Sequence, residues 1–325
     1  MSVVFCVWFF ANTICGQAQA EFRFSVLTLN TWMLRAPFFP VPIAKDISER
    51  LEILPVLFEN TGADIVAFQE LWSPSVRKNL IRELKKRGYR YTAQHNQKIR
   101  PFRGRFGNGL LIVSKFPLDP RIRMLKFSGF TRYDEYFAYK GAIKTRVEIP
   151  ELGWVDLYNS HLGAVTFDSE KGEYDSAQEH RKLEQARELA HFISTTRTER
   201  VQILASDLNS HYKKFEANHF TDDWSEVFSE ITHAIPGMEL IDTLHAIQGY
   251  PSTPDCTYCM DNDYAAKGLF GNAPSEVEDY IFISPDAQVA PEESSIVLKQ
   301  GFGQSLGPKY VSDHYGVLTR FRVGD

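Results

Sequence analysis

The sequence predicts an α/β protein in which β-sheets stack on one another and carry helices on their outer faces. Three observations lead there. The chain is 325 residues long and 43% hydrophobic, enough to bury a large core and well outside the disordered class. Apolar, β-branched runs of strand length recur along it, bounded by turn residues. Helical patterns lie between some of these runs, and no repeat, low-complexity run or Pro/Ser-rich linker marks a domain boundary after residue 21, so residues 21–325 are expected to form one domain.

Taken in order, the first segment stands apart. Met1 to Ala11 is almost wholly apolar, no charge precedes Glu21, and Ala18-Gln19-Ala20 matches a small-residue cleavage site. Residues 1–20 therefore read as a signal peptide, which sends the mature chain to a secreted or periplasmic location. The usual positive charge at the start of such a peptide is missing, so an uncleaved anchor is the alternative. No later stretch approaches the run of about 18 apolar residues that a membrane span needs.

Strands are expected over residues 22–30, 64–71, 109–114, 143–149, 155–161, 201–207, 280–284 and 316–323. Ser73-Pro74 opens a helix by capping and N1 proline, and Gly88 closes it after Lys85-Lys86-Arg87. A second helix runs from about residue 176 to 193, with Leu183, Ala186, Ala190 and Ile193 on one face. Cys6 and Cys15 leave with the leader. Cys256 and Cys259 remain, spaced C-x-x-C, and lack the second pair of ligands that a structural zinc requires. A short-loop disulfide is the expectation in an oxidising compartment, with two free thiols as the alternative.

Polar residues repeatedly sit at the C-terminal ends of apolar strands: Asn30, Glu70, His161, Asp207 and Asn209. Strand ends deliver side chains rigidly to a shared edge, which suits a catalytic cluster. The residue types suit phosphoester hydrolysis, where something must neutralise an anion, activate water and steady a leaving oxygen. Mg²⁺ takes hard oxygen ligands, usually only one or two protein carboxylates, and Glu70 with Asn30 fits such a sparse site. Ser206-Asp207-Leu208-Asn209 offers a carboxylate and an amide two residues apart, and Asp313-His314 sets a base beside a carboxylate. Asp279, in Glu278-Asp279-Tyr280, is placed to fix the tautomer of His314.

These motifs, in this order, resemble the endonuclease/exonuclease/phosphatase superfamily. The resemblance implies a four-layer αββα sandwich, with two mixed β-sheets packed face to face, and divalent-metal phosphoester hydrolysis. It implies metal-site roles for Glu70 and Asn30, with Asp313 close to the metal. Asp207 and Asn209 match the Asp-x-Asn motif that contacts phosphate, attacking water or a second metal. His314 matches the general base, Asp279 its orienting acid, and His161 the second histidine, which stabilises the transition state or protonates the leaving group. Ser206 stands where the family usually has Gly. Mg²⁺ is the implied metal, with Mn²⁺ or Co²⁺ as substitutes.

Further stretches are similar to the neutral sphingomyelinase branch: Leu29-Asn30-Thr31-Trp32, Gly107-Asn108-Gly109-Leu110 leading to Ser114-Lys115-Phe116-Pro117, Phe137-Ala138-Tyr139-Lys140-Gly141, the segment from Glu179 to Ile193, and Cys256-Thr257-Tyr258. That branch implies phospholipase-C-type cleavage of sphingomyelin to phosphocholine and ceramide. Two aromatic segments agree with a membrane phospholipid as the partner: RAPFFPVP at 35–42, and Phe127, Phe130, Tyr133, Tyr136, Phe137 and Tyr139. On loops they would seat at a bilayer interface; otherwise they fill the core. A net charge of −5 supplies no global field for nucleic acid, and residues 98–106, with Phe102 and Phe106 among basic residues, are the one local exception. The competing readings are a secreted metal-dependent nuclease, an inositol-phospholipid phosphatase and a lipid-binding protein without turnover. No obligate protein partner is evident.

Overall fold

The computed structural model describes residues 21–33, 44–95, 107–136, 138–251, 255–268, 272–302 and 309–324. The expected leader, the 35–42 aromatic segment, the 98–106 basic segment and Phe137 lie outside them. Along the chain come β1 (Phe22–Asn30), α1 (Ile47–Thr61), β2 (Ile65–Gln69), α2 (Pro74–Lys85), β3 (Tyr91–Ala93), β4 (Leu111–Ser114) and β5 (Arg123–Lys126). Then follow β6 (Gly141–Ile149), β7 (Gly153–His161), β8 (Phe167–Asp168), β9 (Glu173–Tyr174), α3 (Ser176–Thr196), β10 (Gln202–Asp207), β11 (Lys213–Glu216) and β12 (His219–Trp224). The last stretch holds α4 (Glu226–Thr232), β13 (Ile241–Asp242), α5 (Thr243–Gln248), α6 (Asp263–Ala266), β14 (Asp279–Ile283), β15 (Val289–Val297) and β16 (Gly316–Val323).

Among the described residues the strands form two six-stranded sheets, ordered β15-β16-β1-β2-β4-β3 and β13-β14-β10-β7-β6-β5, with two small hairpins beside them. Both sheets are mixed: β1 runs parallel to β2 and antiparallel to β16, while β10 runs parallel to β7 and antiparallel to β14. Period-two alternation explains the layering. Phe24 and Val26 of β1 face the second sheet and join Leu157, Ile203 and Ile281 in one core. Leu27 and Leu29 point the other way and pack with Leu54 and Phe58 of α1 and Leu80 and Leu84 of α2. On the far side of the second sheet, Leu183, Ala186, Leu189 and Ile193 of α3 complete the first core. The result is the expected αββα sandwich.

A polar seam also crosses between the sheets. Gln69 Nε2 donates to Asn159 Oδ1 at 2.8 Å, and Asn159 Nδ2 donates to the carbonyls of Phe68 and Leu111 at 2.9 and 3.1 Å. Every buried amide atom named here has a partner, so the seam fixes the relative placement of the sheets where apolar packing alone would let them slide.

Two local expectations need revision. Ser73 precedes α2 as foreseen, but its side chain makes no capping bond to the helix; its Oγ lies 3.1 Å from Ser75 Oγ, and the N1 proline starts the helix without it. The aromatic run from Phe127 is not one exposed loop: Phe127 and Tyr139 are buried, while Phe130 is exposed. Several elements were not expected from the sequence, α1 and β15 among the longest of them. Helix α1 carries Pro55 inside its apolar pattern, and Asp46 at its start makes no side-chain cap. Strand β15 contains Pro291 and polar residues, which an edge strand with a register shift tolerates.

Candidate functional site

The polar strand ends converge on one edge of the sandwich. In the second sheet they form a single row: Asp207 pairs with His161 on β7 and with Asp279 on β14, and His161 pairs with Gly141 on β6. Because β14 and β6 run antiparallel to their neighbours, their first residues meet the last residues of β10 and β7. In the first sheet, Asn30 ends β1 opposite Gln69, the last residue of β2, and Glu70 follows in the left-handed region with φ +58°. Asp313 and His314 lie in the segment that leads into β16.

Hydrogen bonds join the halves. Asn30 Nδ2 donates to Asp207 Oδ2 at 2.8 Å, while Asn30 Oδ1 accepts the Trp32 N–H at 3.0 Å. His314 Nδ1 and Asp279 Oδ2 are 2.8 Å apart, the orientation expected of this pair. His161 Nε2 lies 3.2 Å from Asp207 Oδ2 and 3.7 Å from Glu70 Oε1. Asn209 is left-handed with φ +47°; its N–H donates to Asp207 Oδ1 at 2.8 Å and its Nδ2 to the Leu162 carbonyl at 2.9 Å. All eight residues singled out from the sequence therefore gather at this edge.

The electrostatics follow from crowding charges in a buried place. Burial disfavours the charge on Asp207, yet His161, His314 and Lys140 outweigh it and hold this carboxyl well below the usual carboxylate range. Burial raises Asp279, with His314 pulling against it. Asp313 is pushed up to about 6 by burial, against the pull of His314 and with Glu70 adding to the rise. For His314 burial works downward, but Asp279, Asp207 and Asp313 overcome it and lift the ring well above its ordinary value.

Oxygen donors dominate, which suits a hard divalent cation. The Glu70 carboxylate has no hydrogen bond among the described residues and stays partly open, and the buried Asp279 Oδ1 has no partner either. Asp207, Asp279 and His314 each bring one ligand atom within 4.8 Å of the others, a second grouping able to hold a metal.

Three further residues of the site had no role assigned from the sequence. Lys140 is 8% exposed, and its Nζ sits 2.7 Å from His161 Nε2 and 3.6 Å from Glu70 Oε1. Its signal was present, a lysine directly before the glycine that opens an apolar strand, but only the pairing of β6 with β7 sets it beside His161. Glu278, next to Asp279, has Oε2 3.9 Å from His314 Nε2, and burial raises its carboxyl well above the ordinary value. Arg50 of α1 is fully buried and donates to four carbonyls: Thr31 at 2.7 Å, Trp32 at 2.8 Å, Lys45 at 2.9 Å and Val311 at 3.0 Å. It thereby ties the segment after Asn30 to the segment before Asp313. Nearby, Cys256 and Cys259 form the expected disulfide, with Cα atoms 5.4 Å apart.

Residues 27–314 match the Endonuclease/Exonuclease/phosphatase family, a span that contains every site residue named above. The chain belongs to that family. Family members are metal-dependent hydrolases, in keeping with the donor set just described. No curated protein sequence is a significant match to the chain. Among solved structures, this member of the family is similar to sphingomyelinase C from Streptomyces griseocarneus, with a TM-score of 0.67 and 16% identity over 92% of this chain and 99% of that one. It is also similar to a Staphylococcus aureus beta toxin mutant with bound magnesium ions (TM-score 0.66, 17% identity, 93% of this chain and 99% of that one). A third similar structure is D. rerio TDP2 complexed with a single-strand DNA product (TM-score 0.62, 14% identity, 92% of this chain and 98% of that one). At such identities the likeness establishes the shared fold.

Proposed function

We propose that this chain is a secreted, Mg²⁺-dependent phosphodiesterase that cleaves sphingomyelin to phosphocholine and ceramide, or releases phosphocholine from a close lysolipid relative. The observation that carries the hydrolytic part is the Asp279–His314 pair, 2.8 Å apart, set beside Asp207, Asn209 and His161 at one sheet edge. With Nδ1 turned to Asp279, His314 offers Nε2 to take a proton from water as that water attacks phosphorus. The surrounding carboxylates would stabilise the imidazolium that results from that transfer. His161 and Lys140 stand together on the side of Asp207 away from Asp279, suited to steadying the departing oxygen, while the Asn209 side chain braces the loop at Leu162. Glu70, with Asn30 and Asp313 nearby, would hold Mg²⁺, which supplies Lewis-acid stabilisation of the phosphate charge.

The lipid substrate is supported by the likeness to sphingomyelinase C along 92% of this chain and by the branch motifs in the sequence. Exposed Phe130 agrees with contact at a bilayer interface. A nuclease reading has one observation in its favour, the likeness to TDP2 complexed with a DNA product.

The test is phosphocholine release from sphingomyelin liposomes by residues 21–325, with Mg²⁺ or with EDTA, beside a plasmid-nicking assay. Release that needs the metal, without nicking, is the expected result. Nicking without release would keep the hydrolytic centre and hand the substrate to the nuclease reading.

A further inference from the structure

Helix α3 packs an apolar face onto the second sheet, yet two polar residues three apart are buried on it: Lys182, 5% exposed, and Gln185, 1% exposed. An apolar residue at either place would bury more readily, so their contacts call for an explanation. Lys182 Nζ donates to the carbonyl of Asn209 at 2.6 Å. Gln185 Oε1 accepts the N–H of Gly163 at 2.7 Å, and Gln185 Nε2 donates to the Gly129 carbonyl at 3.2 Å and to Glu135 Oε2 at 3.3 Å. Gly163 lies two residues beyond His161. A Cβ there would sit 2.3 Å from Thr131 Oγ1 and 2.5 Å from Glu135 Oε1, so this turn is pressed against its support without slack. The two loops are also tied to each other, through Asn209 Nδ2 and the Leu162 carbonyl at 2.9 Å.

We propose that Lys182 and Gln185 are positioning residues: from one helix they clamp the loops that follow β7 and β10, and so set where His161 and Asn209 stand. Asn209 gives the clamp its purpose. A non-glycine residue in the left-handed region persists only where its surroundings hold it, and the Lys182 bond grips that residue's own carbonyl. The inference rests on the catalytic placement proposed above, but not on sphingomyelin as the substrate.

Turnover of bis(p-nitrophenyl) phosphate, a diester without lipid, tests it in the full chain. Lys182→Met is expected to lower kcat by about 10²-fold, the scale of a misplacement near 1 Å, with KM little changed. Lys182→Arg should recover most of the loss, because a guanidinium still reaches the carbonyl. In an Asn209→Ala background, Lys182→Met should cost almost nothing more, since the two act through one position. Equal losses in both backgrounds, or full activity in Lys182→Met, would overturn the clamp. Should Lys182→Met fail to fold, Gln185→Leu takes its place, paired with His161→Ala. Should the wild type turn over no diester at all, the proposed function fails, and amide hydrogen exchange then decides the clamp. The Gly163 and Asn209 amides are expected to lose protection in Gln185→Leu and Lys182→Met while β7 and β10 keep theirs; unchanged protection at both loops would refute it.

Discussion

The two sheets build their halves of the site by different means. The second sheet contributes a row, Gly141, His161, Asp207 and Asp279, whose members are partners across adjacent strands. Ladder register sets the spacing of their backbones, and a slip of one residue would turn the whole set to the other face. The first sheet contributes residues just past its strands. Glu70 and Trp32 are both left-handed, with φ +58° and +45°, and Asp313 hangs on a segment pinned by Arg50. There the backbone between strands does the positioning, with one buried guanidinium as its anchor. Register-built geometry is stiff and fails as a unit. Loop-built geometry is the part a fold can alter residue by residue, which suits a metal site whose ligands must also admit water and substrate.

The largest expected effect lies where the halves meet. His314 comes from the first sheet's loop but takes its orientation from Asp279 of the second. His314→Ala should reduce diester turnover by about 10²–10⁴-fold with the fold retained, as circular dichroism and kcat would show; activity within tenfold of wild type would end its role as base. Next comes a break in the row itself. A Cβ on Gly141 would lie 2.2 Å from the Leu125 carbonyl oxygen, so Gly141→Ala must part β5 from β6 or twist β6. Urea unfolding should show a loss of about 2–3 kcal/mol, with activity falling alongside; unchanged stability would mean that register does not hold the row. Glu70→Gln is the mildest, since it keeps one oxygen donor. It should raise the Mg²⁺ concentration for half-maximal activity by about tenfold, ~1.4 kcal/mol, and leave metal-free stability alone. An unchanged midpoint would remove Glu70 from the metal site.

Much of this architecture was legible in the sequence where one residue's neighbours along the chain decide the outcome. Strand β1 was expected over the residues it occupies, because a run rich in apolar and β-branched residues continues to Asn30. The apolar face of α3 appears where 3.6-residue spacing put it. Helix α1 was not legible, since Pro55 interrupts its pattern and tertiary packing of Leu54 and Phe58 against the first sheet outweighs that. Lys140 and Arg50 were not legible as site residues either. Arg50 reads as an ordinary surface cation, and Lys140 as one residue of a motif without a role of its own, until the fold buries them.

The sequence by itself determined which residue types the edge would carry, in what order, and that strand ends would present them, because those depend on local periodicity and on motifs short enough to read. Only the tertiary structure decided which of them touch. The bonds between Asn30 and Asp207, 177 residues apart, and between Asp279 and His314, 35 apart, exist because two sheets meet face to face. The same packing buries Lys140 beside His161 and shifts Asp207, Asp279, Asp313 and His314 away from their ordinary values. Burial and distance are properties of the assembled sandwich, and proton affinity follows from them.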